Sequence, residues 1–210
     1  AWAVVSAVEF HRPPAFVVEN VPEFAQWALF PAWREALNAL GYAMALHVID
    51  AADHGVPQNR VRLFVIGTRS QSPIALRLPK RPHVAAASVV DFGAGQWSAI
   101  EKPRRSPATL ARVAAGRRVH GDRFLTAYYG NERGGRSLAR PIGTITTRDR
   151  WAVIDHDRMR MLSVPEARRA MGFRDTYRTP DDKRLAMHML GNAVCPPVAR
   201  GLIQAIGAAA

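Results

Sequence analysis

Apolar and polar positions along this chain change period several times, and each change marks an element. Residues 1–10 are apolar and fit a helix. His11-Arg12-Pro13-Pro14 ends it, because proline lacks a donor and disfavours helix in the residue before it. Ala15-Phe16-Val17-Val18 is a short run of β-branched and aromatic side chains and predicts a buried strand reaching Glu19. Across residues 23–40, Phe24, Trp27, Leu29, Trp33, Leu37 and Leu40 recur close to helical spacing, with Gly41 as a natural stop. Tyr42–Ile49 and Arg62–Gly67 predict two more strands, separated by the turn-rich Asp53-His54-Gly55-Val56-Pro57. Strand, helix, strand, strand is the order expected of the closing half of a doubly wound α/β sheet.

Beyond about Ser70 the texture changes. Residues 70–123 are rich in Pro, Arg, Gly and Ala with weak periodicity, which predicts a loop-rich small lobe. Tyr128-Tyr129-Gly130 and Ile142–Thr147 predict short strands in it. Residues 158–172 predict a helix: Ser163 caps it, Glu166 completes a capping box, Pro165 fits the first turn, and Gly172 closes it. Pro197–Ile206 predicts a final helix. There are no internal repeats.

Composition narrows the class. A chain of 210 residues, 48% hydrophobic, suffices for one domain or a domain plus a lobe. No apolar run approaches the roughly 20 residues needed to cross a bilayer, and no signal peptide is visible. One cysteine excludes an internal disulfide and suits a reducing cytoplasm. The seven histidines are scattered, with no metal-ligand spacing. The net charge of +12 favours a polyanionic partner, although a merely solvated basic surface explains the charge alone equally well.

Candidate chemistry sits at the strand ends. Glu19 closes its strand at the edge where open α/β sheets hold ligands. Arg60 and Arg62, two apart in GVPQNRVRLFVIGTR, are expected on one face of a strand. A carboxylate and two guanidiniums can grip a planar, hydrogen-bonding nucleobase. A helix-capping carboxylate and surface salt-bridge arginines are the plainer alternatives.

FVVENVPEF, GVPQNRVRLFVIG, RPIGTITTRDR, RMLSVPEARRAMGF and HMLGNAVCPPVARGLI occur in that order. The set resembles the C-terminal two-thirds of a bacterial or phage DNA (cytosine-5)-methyltransferase. The resemblance implies a partial Rossmann-like class I methyltransferase sheet plus a small loop-rich DNA-recognition lobe. It divides the chain into part of the catalytic domain (1–69), the recognition lobe (70–150) and a returning segment (151–210). It implies S-adenosyl-L-methionine as cofactor, no metal, duplex DNA as partner, and a place in the cytoplasm with the nucleoid.

Residue by residue, the resemblance makes Glu19 the acid at ring nitrogen 3 of cytosine. Arg62 becomes the contact to the flipped base and Arg60 its support, with Asn20 fixing the loop. Thr144, Thr146 and Arg148 would hold backbone phosphate. Asn192, Ala193 and Val194 would line the cofactor pocket. Arg133, Arg136 and Arg140 are open between base reading and phosphate binding, while Arg160, Ser163 and Glu166 match a block with a mainly structural role. The family's Gly-rich cofactor loop and nucleophilic Pro-Cys loop have no counterpart in the sequence. Cys195 lies in a different block and is not expected to be the nucleophile. The chain is therefore expected to be a fragment or split subunit, inactive alone, partnered by an N-terminal subunit that supplies the cysteine, and prone to aggregate through an open sheet. The alternative is a non-catalytic DNA-binding subunit or relic. A different nucleotide-binding α/β protein is disfavoured, because it would need Gly-rich phosphate loops.

Overall fold

The computed structural model describes residues 1–127, 134–148 and 150–209. The chain forms two compact units, one of residues 1–50, 61–79 and 199–210, the other of residues 51–60 and 80–198.

The first unit is built on β1 (Ala15–Asn20), β2 (Ala43–Asp50) and β3 (Val61–Thr68). β3 lies between the other two and runs antiparallel to both, so β1 and β2 are parallel to each other. Alternation along the strands puts Phe16, Val18, Met44, Leu63 and Val65 in one core with Val8 of α1 (Trp2–His11) and Phe30, Trp33 and Leu37 of α2 (Phe30–Ala39). The polar tips of buried aromatics are satisfied: Trp33 Nε1 donates to Ala1 O at 3.0 Å and Tyr42 Oη to Pro13 O at 2.6 Å. Gly67 leaves room for the Phe16 ring, which an added Cβ would meet at 2.3 Å.

The single helix expected over 23–40 is two pieces, a 3-10 turn at Pro22–Gln26 and then α2. Pro31 explains the break. In a continuous helix its ring would clash with the preceding turn, whereas near the start of α2 its missing N–H costs nothing. β3 begins at Val61, so Arg62 lies on the strand and Arg60 precedes it; the expected pairing of the two on one strand face does not hold.

The second unit contains an antiparallel sheet in the order β4 (Ser98–Ala99), β7 (Arg158–Met161), β6 (Trp151–Asp155), β5 (Arg123–Ala127). One face packs Phe124, Ala152, Ile154 and Met159 against Leu110 and Val113 of α3 (Pro107–His120). α3 was not expected within 70–123. It buries Thr109, Val113 and Gly116, and the Phe124 ring sits where a Gly116 Cβ would be, 2.2 Å away. Small residues at the contact erase the large-apolar periodicity by which helices are recognised. On the same sheet, the Arg123 guanidinium lies over Phe92 and those of Arg158 and Arg160 over Trp97, 4.7–4.9 Å from the ring centres.

Residues 158–172 form β7 and then α4 (Val164–Ala170), with the Ser163–Glu166 capping box in place. Ile142–Thr147 is not a strand, and only Ile142 makes an isolated bridge, to Gln58. Tyr128-Tyr129-Gly130 and Arg133 lie outside the described residues. α5 (Lys183–Asn192), capped by Asp182 accepting from Leu185 N at 2.7 Å, leads to α6 (Pro196–Ala209), which begins in the second unit and continues into the first. Among the described residues no helix is long and apolar enough to cross a membrane.

Candidate functional site

In the first unit, the end of β1 meets the start of β3. The register pairs Glu19 with Phe64 and Asn20 with Leu63, so Arg62 is the diagonal neighbour of Glu19 on the same face. Arg62 Nε lies 3.1 Å from Glu19 Oε1, and both side chains are half-buried. Arg62 Nη1 also donates to Val61 O at 2.8 Å. His47 completes the cross-strand row through Phe64. Burial lowers its pKa, and its Nε2 meets no partner among the described residues. Asn20 turns back on the chain, accepting from Val21 N at 2.8 Å. The structure thus brings Glu19 and Arg62 together as a carboxylate–guanidinium pair at a strand edge.

In the second unit, residues 57–60 and 142–145 run side by side without forming a regular ladder. Asn59 N donates to Ile142 O at 2.8 Å, and Ile142 N to Pro57 O at 3.0 Å. Gln58, fully buried, accepts from Ile145 N at 2.7 Å through Oε1 and donates through Nε2 to Ala170 O and Met171 Sδ. Arg60, 3% exposed, donates to Ile145 O, Gly191 O and Ala193 O, each at 3.0 Å. Among the described residues Arg60 therefore serves backbone carbonyls rather than an open crevice.

The threonines flank this joint. Thr144 Oγ1 donates to Asn59 O at 2.9 Å, and Thr146 Oγ1 to Arg148 O at 3.0 Å. Arg148 is exposed. Arg136 is anchored, with Nη1 donating to Asn59 Oδ1 and Pro141 O and its guanidinium over the Trp151 ring. Arg136 and Arg140 line an open cleft of about 970 Å³ together with His83, His120 and Ser137.

The last turn of α5 is held by close packing. A Cβ at Gly191 would lie 2.3 Å from Thr146 C and Thr147 N, so glycine is required here by close backbone approach. Asn192 is exposed, Ala193 and Val194 are half-buried, and Cys195 is buried with 2% exposure. Arg160 and Glu166 form a buried bidentate ion pair. Among the described residues, no cluster of three His, Cys, Asp or Glu side chains is placed to hold a metal ion. Gln58 carried no role in the sequence reading. The available signal was its place two residues before Arg60, in a segment otherwise poised for a strand.

This α/β arrangement is a Rossmann-like methyltransferase fold. The chain is similar to the solved methyltransferase EhMeth of Entamoeba histolytica, with a TM-score of 0.60 and 17% identity over 92% of this chain and 62% of that one. It is also similar to DNMT2 of Spodoptera frugiperda, with a TM-score of 0.64 and 14% identity over 98% of this chain and 70% of that one. The family model for C-5 cytosine-specific DNA methylases matches residues 1–208, and the chain belongs to that family. Among curated relatives, the Type II methyltransferase M.NlaX of Neisseria lactamica is 26% identical over 94% of this chain and 64% of its own length. M.MthTI of Methanothermobacter thermautotrophicus is 33% identical over 38% of this chain and 25% of its own. The chain spans less than two thirds of the length of these curated relatives.

Proposed function

We propose that this chain provides the acid, the base-holding arginine and the DNA-recognition part of a DNA (cytosine-5)-methyltransferase. The reaction moves a methyl group from S-adenosyl-L-methionine to carbon-5 of a cytosine flipped out of duplex DNA. The observation that carries this reading is the Glu19–Arg62 pair, 3.1 Å apart at one sheet edge.

Carbon-5 of cytosine is a poor nucleophile until a thiolate adds to carbon-6. That addition places electrons on the ring, and Glu19 serves as the acid that delivers a proton to ring nitrogen 3 as the carbon–sulfur bond forms. Arg62, on the same face, donates to the ring carbonyl and fixes the base in plane. After methyl transfer, water takes the carbon-5 proton as the carbon–sulfur bond breaks and the thiolate leaves, and nitrogen 3 returns its proton to Glu19. Thr144, Thr146 and Arg148 hold the phosphates beside the flipped nucleotide.

The 192–194 turn fits one wall of a cofactor site: an exposed carboxamide at Asn192, then two half-buried apolar side chains on a backbone fixed by Arg60. S-adenosyl-L-methionine bound there would supply the electrophilic methyl group. Cys195 is buried, and we assign the nucleophile to a cysteine outside these 210 residues, in a partner or adjoining polypeptide. Such an enzyme works where the chromosome is, in the cytoplasm. The net charge of +12 also favours a second reading, a DNA-binding subunit with no chemistry of its own.

The test is to incubate the chain with a 5-fluorocytosine duplex and cofactor, alone and with the N-terminal portion of a relative. Alone it should give neither methyl transfer nor a denaturation-resistant adduct. With the added portion it should give the adduct. Glu19→Gln should slow turnover of the reconstituted enzyme on the ordinary duplex by about 10²–10⁴. Methyl transfer by the chain alone, or an adduct lost in Cys195→Ala, would overturn the assignment of the nucleophile. Adduct formation in no mixture, with duplex binding retained, would select the second reading.

A further inference from the structure

We infer that Gln58 and Arg60 are positioning residues that preset the DNA-contacting segment 144–146, an inference that rests on the reading of Thr144 as a phosphate contact. Ile145 belongs to no strand, yet both of its backbone polar groups are held by side chains. Gln58 Oε1 accepts from its N–H at 2.7 Å, and Arg60 Nη1 donates to its C=O at 3.0 Å. Between them, the Thr144 hydroxyl donates to the carbonyl of Asn59 at 2.9 Å. Three consecutive residues thus clasp two others, side chain, backbone, side chain.

The clasp is itself anchored. Gln58 Nε2 reaches Ala170 O and Met171 Sδ beyond the end of α4, and Arg60 Nη2 reaches Gly191 O and Ala193 O. Gln58 is 0% and Arg60 3% exposed, so neither guanidinium nor carboxamide is available to touch nucleic acid. Both act through the backbone they hold. A segment without sheet partners would otherwise be ordered only when DNA arrives, at an entropic cost to affinity. Holding it beforehand removes that cost. Arg60 supplies several donors in a rigid fork, which lysine cannot reproduce.

The experiment measures binding of the full chain to a fluorescent DNA duplex against salt, in Gln58→Leu, Thr144→Val and the double variant. Thr144→Val should weaken binding with the salt slope unchanged, because a neutral hydroxyl releases no counterion. Gln58→Leu should weaken binding about tenfold, also at an unchanged slope, and add nothing in the Thr144→Val background. If Thr144→Val leaves binding unchanged, the phosphate reading fails and the inference falls with it. If Thr144→Val weakens binding but Gln58→Leu does not, or if the two losses add, the positioning role alone is overturned. A second measurement does not depend on a variant folding. Hydrogen exchange of the Ile145 amide in the unaltered chain without DNA should be at least about 100-fold slower than in an unstructured peptide. Exchange at the unprotected rate would overturn preorganisation.

Discussion

Glu166 shows how far one residue can organise its surroundings. Its Oε1 accepts from Asp91 N at 2.8 Å and Arg160 Nη2 at 2.6 Å, and its Oε2 from Arg160 Nη1, Ser163 N and Ser163 Oγ at 2.7–2.8 Å. Burial alone would raise its pKa, but the Arg160 and Ser163 hydrogen bonds outweigh burial and hold the carboxyl below its ordinary range. Asp155, buried and then bonded by Arg123 and Arg158, is held low by the same balance. A lowered folded pKa means that the stability these carboxylates contribute is complete above the unfolded value of about 4. It is lost as pH falls through the folded value. Urea unfolding should therefore show a plateau near neutrality and a falling midpoint below about pH 4. Glu166→Ala leaves Arg160 buried without its carboxylate and should cost about 3–5 kcal/mol in the same measurement. Gly191→Ala should cost about 1–3 kcal/mol, because the backbone at Thr146–Thr147 cannot yield to a Cβ as a side chain would. The Ser163–Glu166 box was legible because its members lie three residues apart. The partners of Gln58 lie 87, 112 and 113 residues away, and no local pattern announces them.

Elements were legible in proportion to the strength of their period. The three strands of the first sheet alternate or run apolar, and each falls within a residue or two of its expected place. α3 was missed because its buried face is made of Thr109, Val113 and Gly116. What the sequence did carry was its start. Ser106 accepts from Thr109 N at 3.2 Å, and Pro107 stands at the first helical position. Ser106→Ala should destabilise the chain by about 1 kcal/mol, read from chemical denaturation. Ile142–Thr147 has strand-like composition, but its hydrogen bonds go to the backbone and side chains of 57–60. Propensity was overridden there by tertiary partners.

At the scale of the molecule, charge and exposed apolar surface govern behaviour. β1 and β2 are the edges of the three-stranded sheet, and Val17, Leu46 and Val48 are exposed on them. Sedimentation should show concentration-dependent self-association, and Val48→Lys, at a site 63% exposed, should reduce it. The two units also interleave along the chain, which passes from one to the other at 50–51, 60–61, 79–80 and 198–199. That threading has a consequence for inheritance. A recombination event that swaps a stretch lying wholly within 80–198 leaves β1, β2 and β3 intact. Residues 51–60 belong to the second unit but are inserted between β2 and β3, and they travel with the first sheet. A donor's segment must therefore fit a Gln58 and an Arg60 that it did not bring, so foreign segments are tolerated only where they present a backbone matching that of Ile145, Gly191 and Ala193.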